Sequence, residues 1–204
     1  RTSIAIAVLA TISSCVVGSM LGAVAGFFGG KVDAIIMRSL DIFMSVPDIL
    51  FTMAVVYALG ANFVNLLVAL TLAYFTNYVR LVRSQVLTLS ESDYVEAARA
   101  GGSGSMRIIM SHIIPNAVGV IIVNTTLNVA KIILYESTLS YLNLGVPAPY
   151  AAWGTMINVI NDTDVLQNYP FIWVPAGICI VIAVLGFNFV GDGLRDALDP
   201  KARR

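Results

Sequence analysis

Five long stretches that are poor in charged side chains dominate this sequence of 204 residues. About 20 consecutive apolar residues form a helix long enough to cross the ~30 Å hydrocarbon core of a lipid bilayer. The five candidate spans are residues 4–27, 42–60, 63–82, 117–136 and 171–191. They predict an all-α fold in which residues 1–204 form a single domain, a polytopic membrane bundle of about five transmembrane helices.

The composition supports a membrane protein and excludes several other classes. Apolar residues make up 58% of the chain and charged residues 12%, about half the ~25% of an average soluble domain. This balance excludes a disordered chain, a disulfide scaffold and an ordinary cytosolic enzyme. The 12 Lys and Arg residues equal the 12 Asp and Glu residues, so no overall basic field attracts nucleic acid.

The second span is the least regular of the five. Pro47 lies near its start, between Asp41 and Asp48. Proline lacks the backbone donor that a regular helix needs. We therefore expect this span to be kinked, or to begin in the membrane interface.

The distribution of Lys and Arg predicts the orientation. Basic residues concentrate on the cytoplasmic side of membrane proteins. Ten of them fall on one side of the five spans: Lys31, Arg38, Arg80, Arg83, Arg99, Arg107, Arg195, Lys201, Arg203 and Arg204. Segment 83–116 and the tail 192–204 are therefore predicted to be cytoplasmic, and segment 137–170 external. An external N-terminus that begins directly on a span is unusual, so we expect a preceding span and an external stretch to be missing.

The chain carries no recognised catalytic or metal-binding motif. His112 is its only histidine, which excludes the HExxH motif and multi-histidine metal sites. Residues 26–32 lack the Ser or Thr of a phosphate-binding loop, and residues 101–105 lack the GxSxG nucleophile motif. We therefore expect no catalytic residue, no metal and no cofactor on this chain.

A stripe of glycines marks the end of the first span. Gly18, Gly22, Gly26 and Gly30 recur every four residues. Small residues at this spacing allow two helix backbones to approach closely in lipid. The stripe predicts that one face of this helix packs tightly against a neighbouring helix.

Residues 90–116 form the most distinctive hydrophilic segment. Ser90 or Ser92 is suited to cap a helix whose first turn is acidic, and Gly101-Gly102 is suited to end it. This helix is faced with alanines, and a second amphipathic stretch follows it. Such a helix fits either a solvated loop or a groove on a partner, because small side chains allow close approach.

This segment resembles the EAA loop of binding-protein-dependent ABC importer permeases. The loop's pattern is EAA, three residues, G, nine residues and then I-x-L-P. In this chain the same positions hold Glu96-Ala97-Ala98, Gly102 and His112-Ile113-Ile114-Pro115. His and Ile at the first and third positions of the last group depart from the general pattern. The ending H-I-[LI]-P-N is characteristic of the dipeptide, oligopeptide and nickel branch.

Three further stretches resemble the same branch, so the resemblance extends over nearly the whole chain. Residues 26–47 are similar to its G-Y-x-G-G-x-x-D segment, and residues 136–157 to its E-x-x-L-S-F-L-G-L-G segment. Residues 191–204 are similar to the G-D-x-L-R-D-x-L-D-P tail of the second, C-type permease subunit. Asn143 and Ala148 replace a usual Gly and Pro, both in the predicted external segment.

The resemblance implies the transmembrane domain of an ABC type I importer, which has six spans in this family, the first of them absent here. It implies a non-catalytic permease subunit that moves di- or oligopeptides across a prokaryotic cytoplasmic membrane. The implied partners are membrane lipid, a homologous second permease, an external solute-binding protein and two cytoplasmic ATPase subunits that bind ATP and Mg²⁺. A nickel or glutathione permease of the same family is the alternative.

By the same resemblance, the EAA loop couples the permease to the ATPase subunits. Its helix inserts into a cleft on the ATPase, where the alanines allow close contact and Gly102 permits the turn. The candidate coupling residues are Asp93, Glu96, Ala97, Ala98, Arg99, Gly102 and Pro115.

The fourth span carries a polar face inside the membrane. Four residues at spacing i, i+4, i+7 and i+11 lie on one side of its helix: Asn124, Asn128, Lys131 and Tyr135. Polar stripes in a membrane turn toward the bundle interior or a water-filled cavity. We therefore expect these residues, with Glu136 at the external end, to line the translocation path. Alternatively, Lys131 snorkels to the external surface and the asparagines mediate helix packing.

A secondary transporter or channel is the alternative from another class. Such a protein is expected to carry carboxylates within its spans for ion coupling. None of the 12 acidic residues lies in the middle of a predicted span, which favours the importer.

Overall fold

The computed structural model describes residues 1–198, and the regular elements in that part of the chain are all helical. Its ten α-helices are α1 Thr2–Phe28, α2 Gly30–Phe43, α3 Asp48–Leu59, α4 Phe63–Ser90, α5 Asp93–Ala100, α6 Ser105–Ile108, α7 Ile114–Tyr141, α8 Trp153–Asn158, α9 Thr163–Asn168 and α10 Pro170–Leu198. A π-helical turn, Ile109–Ile113, joins α6 to α7, and a 3-10 turn, Val159–Asn161, follows α8. The all-α prediction is confirmed.

Four helices of the described chain are long and apolar enough to cross a membrane. They are α1, α4, α10 and the continuous helix that α6, the π turn and α7 form together. A fifth crossing is present when α2 and α3 are counted as one broken span. The predicted number of spans therefore holds, with one span discontinuous.

The kink expected in the predicted span 42–60 is present as a complete break, so this span is not one continuous helix. α2 ends at Phe43, and α3 begins at Asp48 with its axis bent 78° from that of α2. Pro47 disfavours a helical conformation in the residue before it, and at the head of α3 its missing N–H costs no helical hydrogen bond. With 12 residues, α3 is only about 18 Å long and cannot cross a bilayer alone.

Three other predicted spans are parts of longer helices. α4 continues from residue 82 to Ser90, so the predicted loop 83–116 begins as two further turns of that helix. α7 continues past residue 136 to Tyr141. A helix makes its backbone hydrogen bonds within its own segment. It can therefore continue beyond the bilayer, where its side chains become polar. The predicted tail begins inside α10, and residues 199–204 lie outside the described residues.

α1 lies directly against α4 because of its glycines. A Cβ added at Gly18 would lie 2.4 Å from the Tyr78 Cβ, and one at Gly22 would lie 2.5 Å from the Val79 carbonyl oxygen. Gly26 is similarly close to the backbone of α4, with an added Cβ 2.9 Å from a carbonyl oxygen. The predicted close packing is therefore present at three of the four glycines.

Gly30 does not belong to this packed stripe. An added Cβ there meets nothing within 4 Å. Gly29 and Gly30 have φ values of +59° and +53°, and the chain turns here from α1 into α2. The prediction for Gly30 is wrong because α1 ends at Phe28, before the four-residue repeat does.

The apolar core has two main parts. The larger part lies where α1, α3, α4 and α7 meet, and its fully buried side chains include Ile6, Val56, Leu66, Leu70, Ile132 and Leu139. The second part joins the ends of α1 and α4 to α5, the π turn and the start of α7 through Ala23, Val86, Val95, Ile109 and Ile113. We call this end of the bundle the coupling end, after the predicted coupling loop that lies there, and the end with residues 142–152, α8 and α9 the loop end.

Candidate functional site

α5 is a short helix at the coupling end whose charges suit its dipole. Asp93 and Glu96 lie in its first turn, and Arg99 lies in its last turn. Negative charge is favourable near the N-terminus of a helix and positive charge near its C-terminus. The helix is therefore stabilised locally, although it has only eight residues.

The two ends of α5 differ in how they are capped. Ser92 occupies the N-cap position without a side-chain cap, because its hydroxyl donates to a carbonyl in the last turn of α4, and Ser90 is itself the last residue of α4. At the other end Gly102 has φ +77°, and its N–H donates to the Arg99 carbonyl at 3.0 Å. The next N–H donates to the Ala98 carbonyl at 3.0 Å, which completes a Schellman motif. The predicted glycine stop is thus present, and the predicted serine cap is absent.

One face of α5 is held on the bundle. Val95 is fully buried, and Ala98 packs partly buried beside it, in the core that joins α5 to α1, α4 and the π turn. The Arg99 guanidinium lies 5.3 Å from the centroid of the Phe27 ring at the end of α1, a cation–π contact. Two of the candidate coupling residues, Ala98 and Arg99, therefore contact other helices of this chain.

The opposite face of α5 is exposed and combines small with acidic residues. Asp93, Glu96, Ala97 and Ala100 are all exposed there. Neither carboxylate forms an ion pair with another residue between 1 and 198. This surface allows a partner to approach the helix closely at the alanines and offers two carboxylates to basic groups on that partner.

Pro115 lies apart from the exposed face of α5, near the start of α7. Only Ile114 separates it from the π turn Ile109–Ile113 in the helical path. Because proline has no N–H and its ring clashes with the carbonyl one turn before it, a widened π turn accommodates it without breaking the helix. The result is one continuous helix, Ser105–Tyr141, that runs from beside α5 through the bundle.

The polar side chains on α7 do not share one environment. Asn124 lines a groove of about 630 Å³ between α7 and α10, together with Asn116 and Arg195. Lys131 is exposed. These two candidate path residues are therefore accessible from outside the described fold.

Asn128 and Tyr135 pack against other helices of the bundle instead. Asn128 is buried, and Tyr135 packs its ring edge-on against Tyr74 of α4, with 5.4 Å between the ring centroids. Helical spacing placed both residues on the same side of α7 as Asn124. Tyr74 of α4 covers Tyr135, whereas Lys131, which lies between Asn128 and Tyr135 along the helix, stays exposed.

Glu136 is fully buried at the loop end of α7. Its Oε1 accepts a hydrogen bond of 2.7 Å from the Ser140 hydroxyl, one turn further along. Two glycines pack against this turn: an added Cβ would lie 2.0 Å from the Ser140 Oγ at Gly145, and 2.0 Å from the Ser137 carbonyl oxygen at Gly154. Of these residues only Glu136 was predicted from the sequence to be functional, although all of them fall within the motif-bearing stretch 136–157.

Two ion pairs that the sequence analysis did not predict join α2 to α4. Arg83 Nη2 lies 2.6 Å from Asp33 Oδ2, and the Arg83 Nε donates to the other carboxylate oxygen. Arg80 Nη2 lies 2.9 Å from Asp41 Oδ1. In the sequence, the acidic residues lie before one span and the basic residues lie at the end of the next. Only the fold shows which acidic residue pairs with which basic residue.

Comparison with known proteins gives consistent matches over the chain. The family described as "Binding-protein-dependent transport system inner membrane component" matches residues 18–204. The oligopeptide transport system permease protein OppC of Bacillus subtilis is 43% identical over 205 residues, covering 100% of this chain and 66% of the relative. The dipeptide transport system permease protein DppC of Alkalihalophilus pseudofirmus is 39% identical over 203 residues, with 100% and 66% coverage. The chain thus spans about two thirds of the length of these curated relatives.

A solved structure has the same fold. It is a chain from an inward-facing conformation of the MetNI methionine ABC transporter, with a TM-score of 0.75 and 19% identity. The match covers 97% of this chain and 93% of that one. At this identity the likeness shows the fold alone, and it confirms the predicted fold of an ABC importer transmembrane domain.

Proposed function

Because the chain belongs to the family of binding-protein-dependent transport system inner membrane components, we propose that it is the second, C-type permease subunit of an ABC importer for di- or oligopeptides. The names of its relatives support peptides as the substrate class, since OppC and DppC are 43% and 39% identical to it. The matches to both relatives extend over the whole chain.

The observation that carries this proposal is the construction of the coupling end. α5 is fixed to α1 and α4 by Val95 and Arg99, while its acidic and alanine face stays open. The helix that begins next to it at Ser105 runs without a break to Tyr141. A partner that moves α5 therefore moves the ends of three long helices, which is the mechanical requirement for alternating access.

The partner at this face is proposed to be a cytoplasmic ATPase subunit. Two such subunits would bind ATP and Mg²⁺ and carry out hydrolysis, and this chain would contribute neither a catalytic residue nor a cofactor site. A homologous second permease would complete the membrane pair, and an external solute-binding protein would deliver the peptide. In this arrangement the coupling end faces the cytoplasm and the loop end faces outward, in agreement with the positive-inside rule.

The translocation path is proposed to follow the accessible side of α7. Asn124 and Lys131 lie on that side in this conformation. Asn128 and Glu136 are buried and Tyr135 is half-buried against Tyr74 of α4, and alternating access would have to rearrange α4 and α7 to expose them fully. Such a rearrangement is a rigid-body shift of packed helices, the usual form of motion in membrane transporters.

The test is a substitution on the open face of α5 in the assembled transporter. Ala97→Arg places a long cationic side chain where a partner must approach closely. We expect transport and peptide-stimulated ATP hydrolysis to fall about tenfold or more, which corresponds to a loss of only ~1.4 kcal/mol of contact energy. The affinity of the external binding protein for peptide should not change.

Thr88→Arg is the matched control. Thr88 is exposed on the last turns of α4, near α5 but on a different helix, and its hydroxyl bonds only within that helix. It receives the same charge and volume and should keep near-normal transport. Normal peptide uptake by Ala97→Arg would refute the role of this face, and import of an unrelated solute by the parent transporter would refute the substrate class.

A further inference from the structure

α2 has two chemically different faces, and one of them has no partner within the described chain. Met37 and Leu40 pack toward α4, in a cluster with Phe75 and Val79. The opposite side carries a stripe of residues spaced four, three and four apart: Lys31, Ile35, Arg38 and Ile42. At 100° per residue these four lie within about 60° of one another around the helix. We call them the outward stripe of α2.

The charges of α2 are divided between the two faces. Both of its carboxylates are neutralised from α4, Asp33 by Arg83 and Asp41 by Arg80. Both bases of the outward stripe are exposed, and neither forms an ion pair with another residue between 1 and 198. The outward stripe therefore presents two uncompensated positive charges, although the whole chain is formally neutral.

The apolar members of the stripe are unusually open. Ile35 is 67% exposed and Ile42 is 74% exposed. Isoleucines that alternate with bases along one line suit neither a water-facing surface nor a buried core. The arrangement is typical of a helix at a bilayer surface, where apolar side chains enter the acyl region and Lys and Arg reach the headgroups.

The position of α2 is consistent with such a surface. An added Cβ at Gly26, in the last turn of α1, would lie 2.9 Å from the Arg83 carbonyl oxygen, so Arg83 lies level with the coupling end of α1. α2 is tied to α4 at Arg83 and at Arg80, only one turn apart along α4. The helix is also bent 78° from α3, which continues the crossing. α2 therefore runs obliquely across the coupling end of the spans, where headgroups are expected.

We propose that the outward stripe of α2 binds anionic phospholipid of the cytoplasmic leaflet. Lys31 and Arg38 contact the headgroup phosphates, and Ile35 and Ile42 contact the first part of the acyl chains. Cytoplasmic leaflets carry anionic lipid, and each nearby base strengthens binding to it. The inference rests on the orientation given under the proposed function, because it requires the coupling end to face the cytoplasm.

The test measures lipid binding directly. A short-chain phosphatidylglycerol is titrated into the detergent-purified assembled transporter, and bound lipid is counted by native mass spectrometry. Lys31→Gln and Arg38→Gln should each weaken binding about fivefold, and the double variant about 25-fold. Ile35→Ser with Ile42→Ser should weaken binding of the same lipid without changing the charge.

Arg107→Gln is the matched control, since it removes an exposed base at the same end of the bundle but on α6. It should leave the count unchanged, as should an excess of inorganic phosphate. Phosphatidylcholine of the same chain length should bind the parent and the double variant equally. Because no transport is measured, a failed lipid test does not by itself contradict the proposed function.

Three results would each overturn the proposal. The first is equal binding of phosphatidylglycerol by the parent and the double variant, which is also the result expected if the second permease covers the stripe. The second is an equal loss in Arg107→Gln. The third is displacement of the lipid by inorganic phosphate, which would indicate a phosphate site instead of a lipid surface.

Discussion

Gly18 lies so close to Tyr78 that a Cβ at position 18 would come within 2.4 Å of the Tyr78 Cβ. Tyr78 is almost completely buried, and its Cβ, bonded directly to the backbone, cannot move away by a change of rotamer. In a bilayer the hydrophobic effect does not drive one helix against another, so close packing of this kind supplies much of the association energy. The contact between α1 and α4 therefore depends on the absence of a side chain at position 18.

Gly18→Ala is expected to destabilise the protein. The added methyl group overlaps the Tyr78 Cβ and a backbone carbonyl oxygen 2.6 Å away, so the two helices must separate. Overpacking of this kind costs about 1–3 kcal/mol. Thermal unfolding of the purified protein should show a lower midpoint. Gly177→Ala on α10, where an added Cβ meets nothing within 4 Å, is the control; an equal effect at both positions would argue against close packing as the cause.

Gly102→Val is expected to disturb the turn after α5 and to reduce transport-linked ATP hydrolysis. Gly102 has φ +77°, a conformation that costs a branched residue about 1–2 kcal/mol or more. Gly104→Val is the control, because Gly104 has φ −67° and accepts any residue. Hydrogen exchange of the α5 amides measures the disturbance directly. Unchanged exchange and activity in Gly102→Val would show that the turn is not required.

Ser140→Ala is expected to lower stability by about 1–3 kcal/mol, the cost of leaving a buried polar group without its partner. The Ser140 hydroxyl is the donor to Glu136 Oε1, and both side chains are fully buried. Thr138→Val is the control, since it removes a hydroxyl that is exposed and bonds only to a carbonyl of its own helix. Unfolding midpoints compare the two variants. Equal midpoints would mean that the Glu136–Ser140 bond contributes nothing.

Cysteines on α7 are expected to divide into two groups in the conformation described. Cysteines at Asn124 and Lys131 should react with a small water-soluble thiol reagent, because these positions are accessible. Cysteines at Asn128 and Ile133 should be protected, because both positions are buried. A change of nucleotide state that exposes position 128 but not 133 would support a path along this side of α7. If only position 131 reacts in every state, Lys131 merely snorkels and the path lies elsewhere.

The sequence by itself determined the features that depend on neighbours along the chain. Long apolar stretches predict spans because a helix satisfies its own backbone hydrogen bonds in lipid. Gly102 ends α5 because glycine adopts its positive φ without steric strain. Pro47 marks the start of α3 because its ring suits the head of a helix, where its missing N–H is not needed. The EAA pattern and three further stretches were enough to indicate the family, which the comparison with known families confirms.

The tertiary structure alone decided which of these residues meet. Helical spacing placed Asn124 and Asn128 on one side of α7, but the packing of the bundle leaves Asn124 accessible and buries Asn128. The pairing of Asp33 with Arg83 joins residues 50 positions apart. The packing of Met37 and Leu40 against α4 turns the outward stripe away from that helix. Periodicity fixes the direction of a side chain around its own helix, whereas burial and ion pairing depend on which other helix occupies that direction.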